Sequence, residues 1–418
     1  MRRLRIINFQ LFLILAITPL IFLPQLSDRF YYPKILFVYI VLGAIFYNIW
    51  FIPKKKSIHL SNNELVILIY LLLVVVSACF ADDISRSIWG SLGREEGIIA
   101  ITSYIMLYNI ARNYYRNKKL YIQLLLVTSL LVSIYGILQF YDLDPIARDY
   151  LRISWSGRAF STIGNPNFLG TYLILMLPIS LFKFFRESNL IFLFNSAVIY
   201  LCLLLTFTRS SLLGFAVIMA FIIVFVVKKK KYIKKCILLL VVFSLVTVFV
   251  DIESNGRLYG RVLSIGKDAQ ILLEKGADYE KVGANRIFIW LKTITLITES
   301  PWVGYGVENL ENVFVEKYSD EMIDIFGKVY LVDRAHNEYL HIAVSSGLPA
   351  LILYLIFIIL CLKKGYELVK KDIRYLPYLS AISAYLVQAF FNISVVSVSY
   401  IFWIFLGVIN NETVFDEE

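Results

Sequence analysis

Twelve apolar runs, most of them close to the length of a membrane helix, leave this chain of 418 residues little choice of architecture. Crossing a bilayer takes roughly 17–25 predominantly apolar residues in helical form. The runs lie at 7–23, 35–52, 65–80, 98–111, 120–141, 168–185, 190–207, 211–227, 236–250, 337–361, 375–392 and 396–411. In lipid the backbone must satisfy its own hydrogen bonds, so segments of this length span as helices. The sequence therefore predicts an all-α polytopic membrane protein of about 12 transmembrane helices. Helices 1–9 would occupy residues 1–250. Residues 251–335, the one long stretch poor in apolar runs, would form a large outer loop containing helices. Helices 10–12 and a short cytoplasmic tail would follow over 336–418. A composition of 59% apolar and 17% charged residues excludes a soluble domain.

The net charge of +10 is a matter of topology rather than of nucleic-acid binding. With the amino terminus inside, the loops 1–6, 53–63, 112–119, 183–189, 228–235 and 362–374 hold 23 Lys and Arg, against 8 in the short outer loops. This is the positive-inside bias, broken only by the arginine-bearing loop 142–167. The first apolar run follows Arg2, Arg3 and Arg5 but lacks a small-residue cleavage site, so it reads as a retained signal anchor. The four cysteines sit in or beside apolar runs and suggest neither disulfides nor a metal site.

The outer loops differ in kind. Seven of their eight basic residues are arginine (Arg29, Arg86, Arg94, Arg148, Arg152, Arg158 and Arg209), and the eighth is Lys34. Topology is served equally by lysine, whereas the guanidinium fork suits phosphate. An arginine-selected outer face points to a phosphorylated ligand. By this assignment no charged residue lies deep in a span, which disfavours an ion-coupled transporter.

Within the polar stretch, Asn285–Glu299 has helical periodicity, with Ile287, Trp290, Leu291 and Ile294 on one face. Asn285 reads as its N-cap and Ser300-Pro301 as its stop, which places Arg286 in the first turn, where free N–H groups and a guanidinium suit an anion. An ordinary surface arginine fits the pattern equally well. His336, at the mouth of the run 337–361, is either a general base or an interfacial hydrogen-bonding residue. His341 follows five residues later on a different helical face, and the HExxH zinc pattern is missing. Asp142-Leu143-Asp144 reads better as a turn before Pro145 than as a metal site.

Three segments in this order resemble the O-antigen ligase and polymerase superfamily of bacterial envelopes. They are Thr208–Gly214, Asn285–Trp290 with Ser300–Gly306, and His336-Asn337 with Gly347-Leu348-Pro349; Gly164-Asn165-Pro166-Asn167 is similar too. The resemblance runs from about Gly90 onward and is strongest over Arg286–Leu351. One departure is Thr208, where the family often has Ser. The resemblance implies a GT-C-like membrane glycosyltransferase of the bacterial inner membrane, with its active site on the outer face and no cofactor or metal. Its donor would be a glycan on undecaprenyl diphosphate, and its acceptor a glycan, lipid A-core or glycoprotein hydroxyl. On this reading His336 is the catalytic base and Arg286 and Arg209 hold the diphosphate. Asn337, Arg158, Asn165, Arg94 and Tyr305 would support them. Ligase, polymerase and protein transferase share these residues, and a lipid-linked glycan exporter is the rival from another class.

Overall fold

The structure is a computed structural model that describes residues 2–52, 61–146, 155, 157–274 and 282–415. Among the described residues it is helical without strands. Each of the twelve apolar runs coincides with a helix. These helices are α1 (Arg2–Ile17), α2 (Tyr32–Trp50), α3 (Asn62–Ala78), α5 (Ile98–Tyr114), α6 (Lys119–Phe140), α7 (Pro166–Glu187), α8 (Leu190–Leu205), α9 (Arg209–Lys228), α10 (Ile233–Glu253), α14 (Glu338–Lys371), α15 (Leu376–Ala389) and α16 (Ser399–Val408). A short α4 (Ile84–Trp89) precedes α5. Seven helices are long and apolar enough to cross a membrane: α1 with the turn that follows it, α2, α6, α7, α9, α10 and α14. Helices α3, α8 and α16 are apolar but shorter.

Helix α7 is the axis of the bundle, with 94% of its apolar window buried. It packs on α8 and α15, while α9 packs on α15, α5 on α16 and α3 on α14. The outward faces keep large apolar side chains exposed, such as Phe194, Val227, Leu245 and Ile359, as lipid contact requires.

The polar stretch carries α11 (Arg257–Glu274), α12 (Val282–Glu299) and α13 (Leu310–Phe326). It builds a second core from Phe288, Leu296, Leu310, Val313 and Phe314, closed by Ala343 and Val344 of α14. Helix α12 buries a second apolar side besides the one predicted. Phe288, Ile289, Thr293, Leu296 and Ile297 are buried, whereas Leu291 and Ile294 are exposed. The helix is apolar on two sides, and the side facing α13 and α14 wins.

A kink in α14 fixes how this unit sits. Gly347 has φ 83° and interrupts the helical path. A Cβ there would meet Trp302 O at 2.3 Å, so only glycine fits. The carbonyls freed by the kink are taken up by the preceding loop: Tyr305 N donates to Val344 O at 2.9 Å, and Gly306 N donates to Ser345 O at 2.8 Å. Leu348 N in turn donates to Pro301 O at 2.8 Å. The two segments Ser300–Gly306 and Gly347–Pro349, distant in sequence, are thus one structural joint.

Two charged residues at the starts of span helices are buried in the protein. Lys34 belongs to α2 rather than to a loop and is fully buried, its ammonium donating to the carbonyls of Ile21, Phe30 and Thr162 at 2.6, 2.9 and 2.6 Å. Glu338, in the first turn of α14, is buried and accepts from Tyr354 Oη at 3.0 Å and Tyr385 Oη at 2.9 Å. Three backbone acceptors in one case and two phenols in the other satisfy the buried polar group, which hydropathy alone does not reveal.

Candidate functional site

The site forms where the second core meets the bundle. Trp290 of α12 donates its indole N–H to Ala335 O at 3.0 Å. Arg286 lies four residues earlier on the same helical face, so this bond sets it beside His336. The path of α12 is broken just before Arg286, since Asn285 has φ 67°. Arg286 therefore heads the regular helix as expected, although helical backbone begins at Val282.

His336 itself has φ 51°, which lifts it out of α14, whose N-cap is Asn337. Burial and then Arg286 push the His336 imidazole down to about 4; Asp333 pulls it up, and Arg94 and Arg334 push it down further. The ring is neutral at neutral pH and so able to accept a proton.

Around Arg286 the structure gathers guanidiniums. Burial and Arg209 lower Arg286; burial, Arg209 and Arg257 lower Arg261; burial, Arg261 and Arg257 pull Arg158 down to about 10. Among the described residues, the charges that shift these three groups belong to other arginines. Two members are held in place: Arg158 donates to Thr206 O at 2.8 Å, and Arg257 donates to Gly157 O at 2.7 Å while lying 4.4 Å from the centre of the Phe207 ring. Neighbouring cations repel one another, and a cluster of guanidiniums such as this cradle of five is chemically suited to a polyanion.

The predicted residues divide accordingly. Arg158, Arg209 and Arg286 are brought together, and His336 adjoins Arg286. Arg94 lies at the edge, paired through Nε with Asp333 Oδ2 at 2.6 Å. Asn165 and Asn337 are helix caps, accepting from Asn167 N at 2.8 Å and from Tyr339 N and Leu340 N at 3.0 and 3.1 Å. Tyr305 turns away, donating to Glu299 at 3.0 Å beside Lys317. Arg29 donates to Pro24 O and Arg86 pairs with Glu311. Arg148 and Arg152 lie outside the described residues. Asp144 accepts from Tyr135 Oη and Ile146 N, in keeping with a turn. Among the described residues no His, Cys, Asp and Glu cluster is suited to a metal.

Sequence reasoning missed Arg257 and Arg261, which share one face of α11 at i and i+4, and Asn167, whose Oδ1 accepts from Arg158 and Thr208. It also missed the buried support beneath His336. Arg334, 3% exposed, pairs with Glu308 and lies 3.5 Å from Glu96, and its Nη1 meets His341 Nε2 at 3.0 Å. The bond requires that nitrogen to accept. Burial opposes the Arg334 charge, and Glu308 and Glu96 more than restore it. Burial raises Glu96, with Arg334 and the 2.5 Å bond from Ser394 opposing.

Residues 194–355 match the O-antigen ligase family. The match contains Arg209, Arg257, Arg261, Arg286, Arg334, His336 and the Gly347 kink, and leaves out Arg94, Arg158 and Asn165. A Rickettsia conorii protein named as a candidate polysaccharide ligase is 30% identical over 135 residues. That alignment spans 32% of this chain and 32% of the relative, so about a third of either protein is shared. The ligase-family segment thus contains four of the five clustered arginines, the imidazole and the Gly347 joint.

Proposed function

We propose that this chain is an O-antigen ligase-like glycosyltransferase that moves a glycan from undecaprenyl diphosphate to an acceptor hydroxyl at the outer face of the cytoplasmic membrane. The reading rests above all on one observation: Arg158, Arg209, Arg257, Arg261 and Arg286 lie within one another's electrostatic reach, next to an imidazole that burial and Arg286 keep neutral. The bond between the anomeric carbon and the diphosphate oxygen breaks, and a bond to the acceptor oxygen forms. The departing diphosphate gains charge, which Arg209 and Arg286 stabilise, joined by Arg158, Arg257 and Arg261. His336 takes the acceptor proton. Trp290 and the Gly347 joint act through position alone, since a displacement requires base and leaving-group cradle to be held in fixed relation.

The test is transfer in proteoliposomes from a glycan on undecaprenyl diphosphate, with lipid A-core, a second lipid-linked glycan and a folded protein offered in turn. Labelled glycan on one of them supports transfer and separates ligase, polymerase and protein transferase. Movement of the intact donor across the bilayer without any new glycosidic bond would instead establish the exporter reading. The same assay with EDTA is expected to keep its rate.

A further inference from the structure

A second cavity lies at the opposite end of the bundle. Its volume is about 390 Å³, and it opens between the start of α6, the ends of α7 and α9, and the link from α14 to α15. Lys119, Lys183, Arg186, Lys229 and Arg374 line it, against the single carboxylate of Glu187. Lys183 is paired with Glu187 at 2.5 Å, and Arg374 with Asp372 at 2.7 Å. Lys119, Arg186 and Lys229 have no carboxylate partner among the described residues. Below this charged rim the walls are Ile122, Ile179, Phe182 and Phe225, and Phe415 closes one side beneath the Arg374 guanidinium at 4.4 Å.

The two sites share helices but not ends. Helix α7 begins at Pro166, beside the Asn167 that accepts from Arg158, and reaches the cavity at Lys183–Glu187. At about 1.5 Å per residue its 22 residues span about 33 Å, roughly one hydrocarbon thickness. Helix α9 likewise runs from Arg209 to the cavity at Phe225 and Lys229. A ligand here cannot touch the transfer site. The rim also draws on four of the lysine-rich loops assigned to the cytoplasmic side, where anionic headgroups lie.

We infer that this cavity is a binding site for an anionic phospholipid headgroup of the lysine-rich leaflet, with its phosphate at Arg186 and Lys229 and its glycerol end over the apolar floor. A rim of cations above buried aromatic and aliphatic walls fits an amphiphile, whereas a soluble phosphate would use the rim alone. The test is thermal unfolding of the full chain in non-ionic detergent, titrated with phosphatidylglycerol, phosphatidylcholine or glycerol phosphate. Phosphatidylglycerol is expected to raise the Tm saturably, and the other two are not. The double variant R186Q/K229Q should weaken that response roughly 25-fold, taking about fivefold for each cation removed at a membrane surface. The control K363Q/K370Q removes the same charge from the same end of the bundle outside the cavity, and should respond like the wild type. Equal shifts with both lipids, or an undiminished response of R186Q/K229Q, would overturn the inference. A glycerol phosphate response equal to that of phosphatidylglycerol would overturn its lipid part.

Discussion

The charge environment of His336 makes an unusual demand on the pH profile. With its pKa held at about 4, about 97% of the imidazole is neutral at pH 5.5, against about 9% for an ordinary histidine near 6.5. The acid limb of kcat/KM, which reports the free enzyme, should therefore lie nearer 4 than 6.5. Donor binding changes this. A diphosphate on Arg286 cancels the foremost charge that disfavours imidazolium, so His336 becomes the stronger base it needs to be. The acid limb of kcat should then lie above that of kcat/KM. Two variants give the sign independently. Arg286→Gln removes a repulsion and should move the kcat/KM limb upward, whereas Asp333→Asn removes an attraction and should move it downward. The assay is initial transfer rate in proteoliposomes from pH 3 to 8 at varied donor concentration. A kcat/KM limb near 6.5, unmoved in both variants, would refute the assignment of His336 as the base in this environment.

Other consequences are more local. Trp290→Phe keeps the ring but strands the buried Ala335 carbonyl, which should cost about 1–3 kcal/mol of stability and, by loosening Arg286 against His336, on the order of 100-fold in kcat; thermal unfolding and transfer rate check the two parts. Arg334→Met leaves Glu96 and Glu308 buried and unpaired, so a loss of about 3–5 kcal/mol is expected in denaturant or thermal unfolding. Gly347→Ala forces a Cβ against Trp302 O at a φ of 83°, and a loss of at least about 1–3 kcal/mol should appear as a lowered Tm.

What could be read from the chain follows the range of the interactions. Apolar helices are announced by local composition: each apolar run coincides with a helix, and seven of these are long and apolar enough to cross a membrane. Arg209, Arg286 and His336 stood out because each flanks an apolar run or a helix start. Arg257 and Arg261 were passed over because α11 has mixed composition, yet their i, i+4 spacing on an amphipathic helix was a usable signal. The Arg334 network left no such trace, since Glu96, Glu308 and Arg334 meet only through tertiary packing. Lys34 misled in the opposite sense. A lysine at the edge of an apolar run reads as a loop charge, and only the fold supplies three carbonyls to bury it. Asn165 and Asn337 cap helices and Tyr305 makes a surface contact with Glu299, local roles that a polar residue beside a helix start does not reveal in the sequence.

Release of undecaprenyl diphosphate from a glycan-loaded donor measures the cradle and the base together, whatever the acceptor. In proteoliposomes containing wild type, H336A or R286A, each variant is predicted to release it at least about 100-fold more slowly than wild type, the scale of losing a general base or an oxyanion donor. Wild-type release by both folded variants would contradict the central claim that transfer takes place between His336 and the arginine cradle.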